Sequence, residues 1–120
     1  MHKAAITSVQ FHPLDNSKVL TNGMDSLVKI VDVRTCKAIH EFRHHDFQTS
    51  YNWSSSVFSP DGAYVAAGSS SNGFVFVWNA TNGKLVKMHV AAHQSAGVCG
   101  IAWGRGVVTT DKAGKLIVWH

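Results

Sequence analysis

One pattern constrains this chain more than any other: it repeats itself. Displaced by 47 positions, Phe11 falls on Phe58, Pro13 on Pro60, Val28 on Val75, Val31 on Trp78, Asp32 on Asn79 and Lys37 on Lys84. A further step places Trp103 beside Phe58 and the run Ile117-Val118-Trp119 beside Phe76-Val77-Trp78. The clearest copy is Phe58-Ser59-Pro60-Asp61-Gly62, then Ala63 to Gly68, then Val75-Phe76-Val77-Trp78-Asn79. It reads as strand, tight turn, strand, tight turn, strand. A period in the forties, with about four strands per unit and a Trp-Asp-like ending, is the signature of a propeller blade. Such a unit cannot bury both faces of its small sheet alone, so it stacks on copies of itself.

The expected fold is therefore all-β, a partial β-propeller within one segment spanning residues 1–120. Two full four-stranded blades fall at about residues 5–42 and 53–89, and an incomplete three-stranded blade at about 97–119. Turn chemistry punctuates the strands. In Pro60-Asp61-Gly62 the proline presets φ, the aspartate caps the backbone and the glycine accepts a positive φ. Asn72-Gly73 and Asn82-Gly83 are hairpin signals of the same kind. The third unit ends on a strand from Lys115 to Trp119, which leaves an unpaired edge. Closed propellers need roughly four to eight blades. The missing blades are expected either from a longer chain, of which this is the C-terminal end, or from self-association.

Apolar residues make up 45% and charged residues 15%, the balance of a packed chain and not a disordered one. No apolar run reaches the length of a membrane span, and Met1-His2-Lys3-Ala4 lacks a signal-peptide core. Cys36 and Cys99 lie in different units without metal-like spacing, and read as free buried thiols of a reducing, cytoplasmic compartment. Charge is uneven. Residues 1–83 balance six basic against six acidic side chains, whereas Lys84, Lys87, Arg105, Lys112 and Lys115 face only Asp111 in the rest. This asymmetry serves an acidic partner or an anionic lipid surface, or is a solvated rim. No run of adjacent basic residues exists, so the rim is the simpler reading. Nucleic acid is not an expected partner, and a membrane only an indirect one.

The units resemble the WD-repeat family, whose blades are locked by a His before the first strand, a Ser or Thr in the second, an Asp in the next turn and a Trp in the third. Such a chain of hydrogen bonds lets polar side chains be buried with their donors and acceptors used. The first unit offers His2, Thr21 and Asp25, with Val31 in the Trp position. The second offers Ser69, Asn72 and Trp78. The third offers His93, Thr109 or Thr110, and Trp119, with Ala113 in the Asp position and Asp111 two residues earlier. These residues are expected to be structural.

No catalytic or metal centre is expected, and no cofactor. Cys36, His40, His44 and His45 superficially resemble a ligand cluster, and His89 and His93 share a four-residue spacing. Zinc sites need ligands held on rigid hairpins, and no Cys-x-x-Cys element is present. The carboxylates Asp15, Asp25, Asp32, Glu41, Asp46, Asp61 and Asp111 fall mostly at turn positions. The sequence contains no nucleophile elbow, phosphate-binding loop or His-Glu-x-x-His.

Surface remains. In a blade, the turn between the second and third strands and the connector between blades open on one face. The connector here, Arg43 to Asn52, is long and mixes charge with aromatics. Candidate protein-binding residues on this face are Arg43, His44, His45, Phe47, Tyr51, Asn72, Asp111 and Lys112. For Phe47, Tyr51 and Trp53 the alternative is that they plug the gap between blades.

Finer details resemble one family. The run Val57 to Ser69, the segment Leu27-Val28-Lys29-Ile30-Val31-Asp32-Val33-Arg34-Thr35 and the ending Asp111-Lys112-Ala113-Gly114-Lys115-Leu116-Ile117-Val118-Trp119 are similar to the last blades of the autophagy-related protein 16 family. This resemblance implies a non-catalytic scaffold in autophagosome assembly. Members bind a conjugate of two other autophagy proteins and place it on the forming membrane. Their propeller serves as a docking surface for other proteins. The implied localisation is cytoplasmic, with recruitment to autophagosome precursor membranes. The alternative is a WD-repeat adaptor of another pathway, a ubiquitin-ligase substrate receptor or a trafficking scaffold.

Overall fold

The computed structural model describes residues 4–49, 55–70, 72–89 and 97–119, in which every regular element is a strand. The first sheet runs in sequence order through β1 (Ile6–Phe11), β2 (Lys18–Gly23), β3 (Val28–Asp32) and β4 (Lys37–Phe42). The second repeats it with β5 (Ser56–Phe58), β6 (Tyr64–Gly68), β7 (Val75–Asn79) and β8 (Leu85–His89). The third has β9 (Val98–Trp103), β10 (Val107–Asp111) and β11 (Leu116–Trp119). All pairings are antiparallel meanders joined by short turns. These are blades of a partial WD propeller.

The 47-residue period proves to be a period of backbone conformation as well as of residue type. Before β3, Asp25 Oδ1 accepts the Leu27 N–H at 3.3 Å, and before β7, Asn72 Oδ1 accepts the Phe74 N–H at 3.1 Å. After β3, Asp32 Oδ1 accepts the Arg34 N–H, and after β7, Asn79 Oδ1 accepts the Thr81 N–H, both at 2.8 Å. Each carboxylate or amide mimics a backbone turn. Positive φ recurs in step: 64° at Ser26 against 73° at Gly73, and 56° at Cys36 against 74° at Gly83. The first blade thus holds two non-glycine residues in a conformation that the second assigns to glycine. Even the irregularity repeats, with register shifts at Ile30/Val31 and Val77/Trp78.

The core lies between the first and second sheets. Leu20, Val28, Ile30 and Phe42 from one meet Phe58, Val65, Ala67, Phe76, Trp78 and Ala80 from the other. Trp78 is 1% exposed, stacks on Phe76 at 5.5 Å and leans on Phe42 at 5.8 Å. Aromatic pairs in such geometry add to the burial of their large apolar area. The inner strands are knit together by Gln10, whose Oε1 accepts the Phe58 N–H at 2.8 Å, and by His12, edge-on to Phe58 at 4.8 Å. A Cβ on Gly62 would stand 2.2 Å from the His12 ring, and its φ is +73°, so glycine is required there twice over. The third sheet packs β9 on β5 and β6, and Val98 approaches so closely that a Cβ on Gly68 would lie 2.2 Å from it.

The two ends of the stack expose apolar side chains: Val9 and Phe11 at one, Leu116 and Val118 at the other. This is what repeats that stack on further copies leave uncovered. Two sequence expectations are corrected. Both cysteines are free, but neither is buried: Cys36 is exposed and Cys99 half-buried. Cys36 sits in the turn before β4, outside the strand that carries His40. The second concerns the connector, where Phe47 takes the alternative of plugging the gap between blades and not the binding role. Phe47, 2% exposed, and Thr49, fully buried, are drawn inside.

Candidate functional site

The loop face is built by hydrogen bonds from the connector to turns of both blades. On the first blade, the Thr49 N–H donates to Ser26 Oγ at 3.1 Å and Thr49 Oγ1 donates to the Gly23 carbonyl at 2.5 Å. On the second, the Ser70 N–H donates to the Gln48 carbonyl at 2.7 Å, and the Gln48 N–H to Ser69 Oγ at 3.1 Å. Asn72 Nδ2 donates to the Asp46 carbonyl at 2.7 Å. The connector is a clasp across two β-hairpin turns, and the anticipated shared face exists because of it. Beneath the clasp, Phe47 meets Phe76 and Trp78 edge-on at 5.4 and 5.3 Å. Phe47 is therefore part of the core and offers no surface to a partner, which corrects its candidacy as a binding residue. A long aromatic in a polar loop carries no sequence signal that separates these roles; the packing decides.

The other candidates are placed as follows. Arg43 is exposed and ion-paired to Glu41, which also meets Lys29 at 3.4 Å. The Arg43 hydrogen bond, then that of Lys29, holds the Glu41 carboxyl below its ordinary range. His44 leans on Phe76 at 5.1 Å and stacks on His45 at 4.3 Å. Its Nδ1 accepts the Asp46 N–H at 3.1 Å, while the exposed His45 reaches Asp46 Oδ2 at 3.2 Å. The ligand-type atoms of His44, His45 and Asp46 all lie within 4.8 Å of one another. Asn72 is half-buried and spent on the clasp. Asp111 is also not a surface residue: it is buried, and its Oδ1 accepts the N–H groups of Ala113 and Lys115 at 2.9 and 3.0 Å. Its role as a turn cap corrects its candidacy as a contact. Lys112 is exposed beside it. Tyr51, and likewise Trp53, His2 and His93, lie outside the described residues.

Among the residues expected to lock the blades, Trp119 Nε1 donates to Thr109 Oγ1 at 3.1 Å, which selects Thr109 over Thr110. Thr21 Oγ1 reaches the Lys29 carbonyl at 3.5 Å. Ser69 binds the connector, and Asp25 caps its own turn. The turn carboxylates behave alike. The Ala63 N–H and then the Ser59 hydroxyl lower the pKa of Asp61, Ser17 lowers that of Asp15, and Arg34 that of Asp32.

Sequence reasoning missed a second surface, on the side of the sheets away from the clasp. Between the second and third blades a wedge of about 330 Å³ opens, lined by Tyr64, Val77, Val86, Lys87, His89, Trp103, Arg105 and Trp119 among others. Tyr64 stacks on Trp103 at 6.3 Å, and His89 on Trp119 at 4.2 Å. The only hint in the sequence was the excess of basic residues after Asn82.

Residues 36–79 match the family model for the WD domain, G-beta repeat. The chain is 35% identical over 124 aligned residues to Protein tipD of Dictyostelium discoideum, covering all of this chain and 20% of that protein. It is 33% identical to Autophagy-related protein 16 of Arabidopsis thaliana, over 98% of this chain and 23% of the relative. To Protein Atg16l2 of Mus musculus it is 36% identical, over 88% and 17%. The chain thus spans about a fifth of the length of the curated relatives it matches.

Proposed function

Since the chain belongs to the WD-repeat family and is similar over most of its length to autophagy-related protein 16 proteins, we propose that it is a non-catalytic interaction module of an autophagy scaffold. The carrying observation is that similarity: it spans three blades and is held by relatives as distant as a plant, an amoeba and a mouse. Function in such folds lives in sites grafted on the framework. The framework here offers a clasped loop face carrying Arg43, His45 and Lys112, and an aromatic wedge between blades. Four of the described carboxylates support this reading, because Asp25, Asp32, Asp61 and Asp111 cap turns. The module works in the cytoplasm, is recruited to precursor membranes of the autophagosome, and meets the conjugation machinery through the longer protein that carries such blades.

A chimera tests this. In Dictyostelium cells the matching fifth of tipD is replaced by this chain, and autophagosomes are counted on starvation. Formation restored to most of the unaltered level is expected, against little in cells with that fifth deleted. An expressed, folded chimera no better than the deletion overturns the proposal, and selective recovery of ubiquitin-ligase subunits with it favours the adaptor of another pathway.

A further inference from the structure

Three interior side chains meet no hydrogen-bond partner among the described residues: Asn22 at both Oδ1 and Nδ2, Ser8 at Oγ and Ser56 at Oγ. Asn22 is fully buried and Ser56 nearly so, and the hydroxyl of the half-buried Ser8 is closed off from solvent. The strand registers bring all three into one place. Asn22 lies opposite Ser8 on β1 and opposite Val28 on β3. Residues paired in this way share a face, and Val28 belongs to the core between the first and second sheets. Asn22 and Ser8 therefore aim at the second blade. Ser56 lies opposite Ala67, which lies opposite Phe76, and both of these are in that same core. Ser56 therefore aims back at the first blade. The level along the strands matches as well, because Gln10 beside Ser8 reaches the N–H of Phe58 beside Ser56. At this end of the gap lies the buried Thr49 of the clasp, whose hydroxyl donates to the Gly23 carbonyl next to Asn22.

Buried donors and acceptors that lose water and gain nothing are costly, and several together rival the stability of a whole domain. The repeat shows that the fold does not need polar groups here. In the second blade the counterpart of Asn22 is Gly68, opposite Val75 as Asn22 is opposite Val28. Val98 of the third blade occupies the space that a side chain on Gly68 would take, with a Cβ there falling 2.2 Å from it. One junction is thus closed at this level by hydrocarbon, whereas the other is lined by an amide and two hydroxyls.

We propose that Ser8, Asn22 and Ser56 form an internal water-binding site, in which about one or two water molecules bridge the first and second blades beneath the clasp. A buried water makes about three hydrogen bonds to groups that otherwise lack them. This set suits it: Asn22 Nδ2 donates, Asn22 Oδ1 accepts, and each serine hydroxyl does either. A metal cation fits less well, because all three side chains are neutral and the amide turns N–H donors into the site. A larger polar ligand has no way in, since Asn22 and Ser56 are buried. The joint between these blades then has two parts. Trp78, Phe76 and Phe42 hold it by dry aromatic packing, and bridging water holds it at the end under the connector.

A crystal structure of the unaltered 120-residue chain, at a resolution that shows ordered water, tests this directly. Density is expected within about 2.7–3.2 Å of the Asn22 amide and of a serine hydroxyl from the opposite blade. An Asn22 amide bonded directly to a protein group, or a gap holding no ordered water, would overturn the proposal. Oxygen-17 relaxation dispersion gives the solution counterpart, since it reports water molecules held longer than the protein tumbles. Asn22→Leu, which keeps the volume and removes both polar atoms, is expected to lower the signal by about one or two molecules. Ser17→Ala, in an outer turn away from the gap, is expected to leave it unchanged. An unaltered signal in Asn22→Leu, or an equal loss in Ser17→Ala, would count against the site. Circular dichroism checks the fold of each variant, and the unaltered chain decides the matter if Asn22→Leu does not fold.

Discussion

Phe47 is where a loop residue and a core residue predict opposite experiments. Truncating it to alanine removes a side chain that is 2% exposed and touches Phe76 and Trp78 edge-on. An aromatic side chain buries roughly 150–250 Å², worth about 4–6 kcal/mol at 25 cal/mol per Å². Alanine keeps part of that burial, and the clasp holds the backbone in place, so the hole collapses poorly. The expected loss is about 3–4 kcal/mol, in the range of buried Phe→Ala changes. That is a large share of a typical domain stability of roughly 5–15 kcal/mol. Phe47→Leu keeps most of the volume and forfeits the edge-on contacts, so it should cost about 1–1.5 kcal/mol. Urea unfolding followed by far-ultraviolet circular dichroism measures both, with tryptophan fluorescence, to which Trp78 at 5.3 Å contributes, as a second probe. A Phe47→Ala loss below about 1 kcal/mol would refute the reasoning, since a well-packed core aromatic cannot be removed so cheaply. It would return Phe47 to the surface as a binding residue.

The other expectations are shorter. Trp78→Ala should cost about 3–5 kcal/mol, while Trp119→Ala, at the corresponding place in a half-exposed strand, should cost less than half as much; equal losses would contradict the placement of the core between the first two sheets. Cys36→Gly should stabilise by roughly 0.5–1 kcal/mol, because φ is 56° there and 74° at the equivalent Gly83; a lower melting temperature would count against that turn. The His89 pKa is lowered by burial and then by Lys87, so its contribution is intact above the ordinary value of 6.5 and is lost as pH falls through the lowered value. The melting temperature should accordingly drop between pH 7.5 and 5, and His89→Phe should make that drop smaller; an unchanged slope would show that another group is responsible.

Much of the architecture was legible because turn chemistry is local. Pro60-Asp61-Gly62, Asn72-Gly73 and Asn82-Gly83 specify backbone angles with the residues at hand, and alternation between them marks the strands. The period then says that the sheets stack on one another. The loop face was legible in part: its turns and connector do share one end of the blades. Which of its residues are accessible was not legible. Phe47 and His45 stand two positions apart in one polar loop, yet one is core and the other is exposed.

Sequence alone determined the strands, their order within each sheet and the repeated turns, because these depend on neighbours along the chain. Only the tertiary structure decided what happens between sheets. There Asp111 turned inward to hold a turn, the connector became a clasp, and Phe47 was drawn onto Phe76 and Trp78. The physical reason is that contacts between blades depend on the volumes and charges of residues some forty-seven positions apart. No local preference encodes that Phe47 packs on Phe76 and Trp78 while His45, two positions earlier, stays exposed.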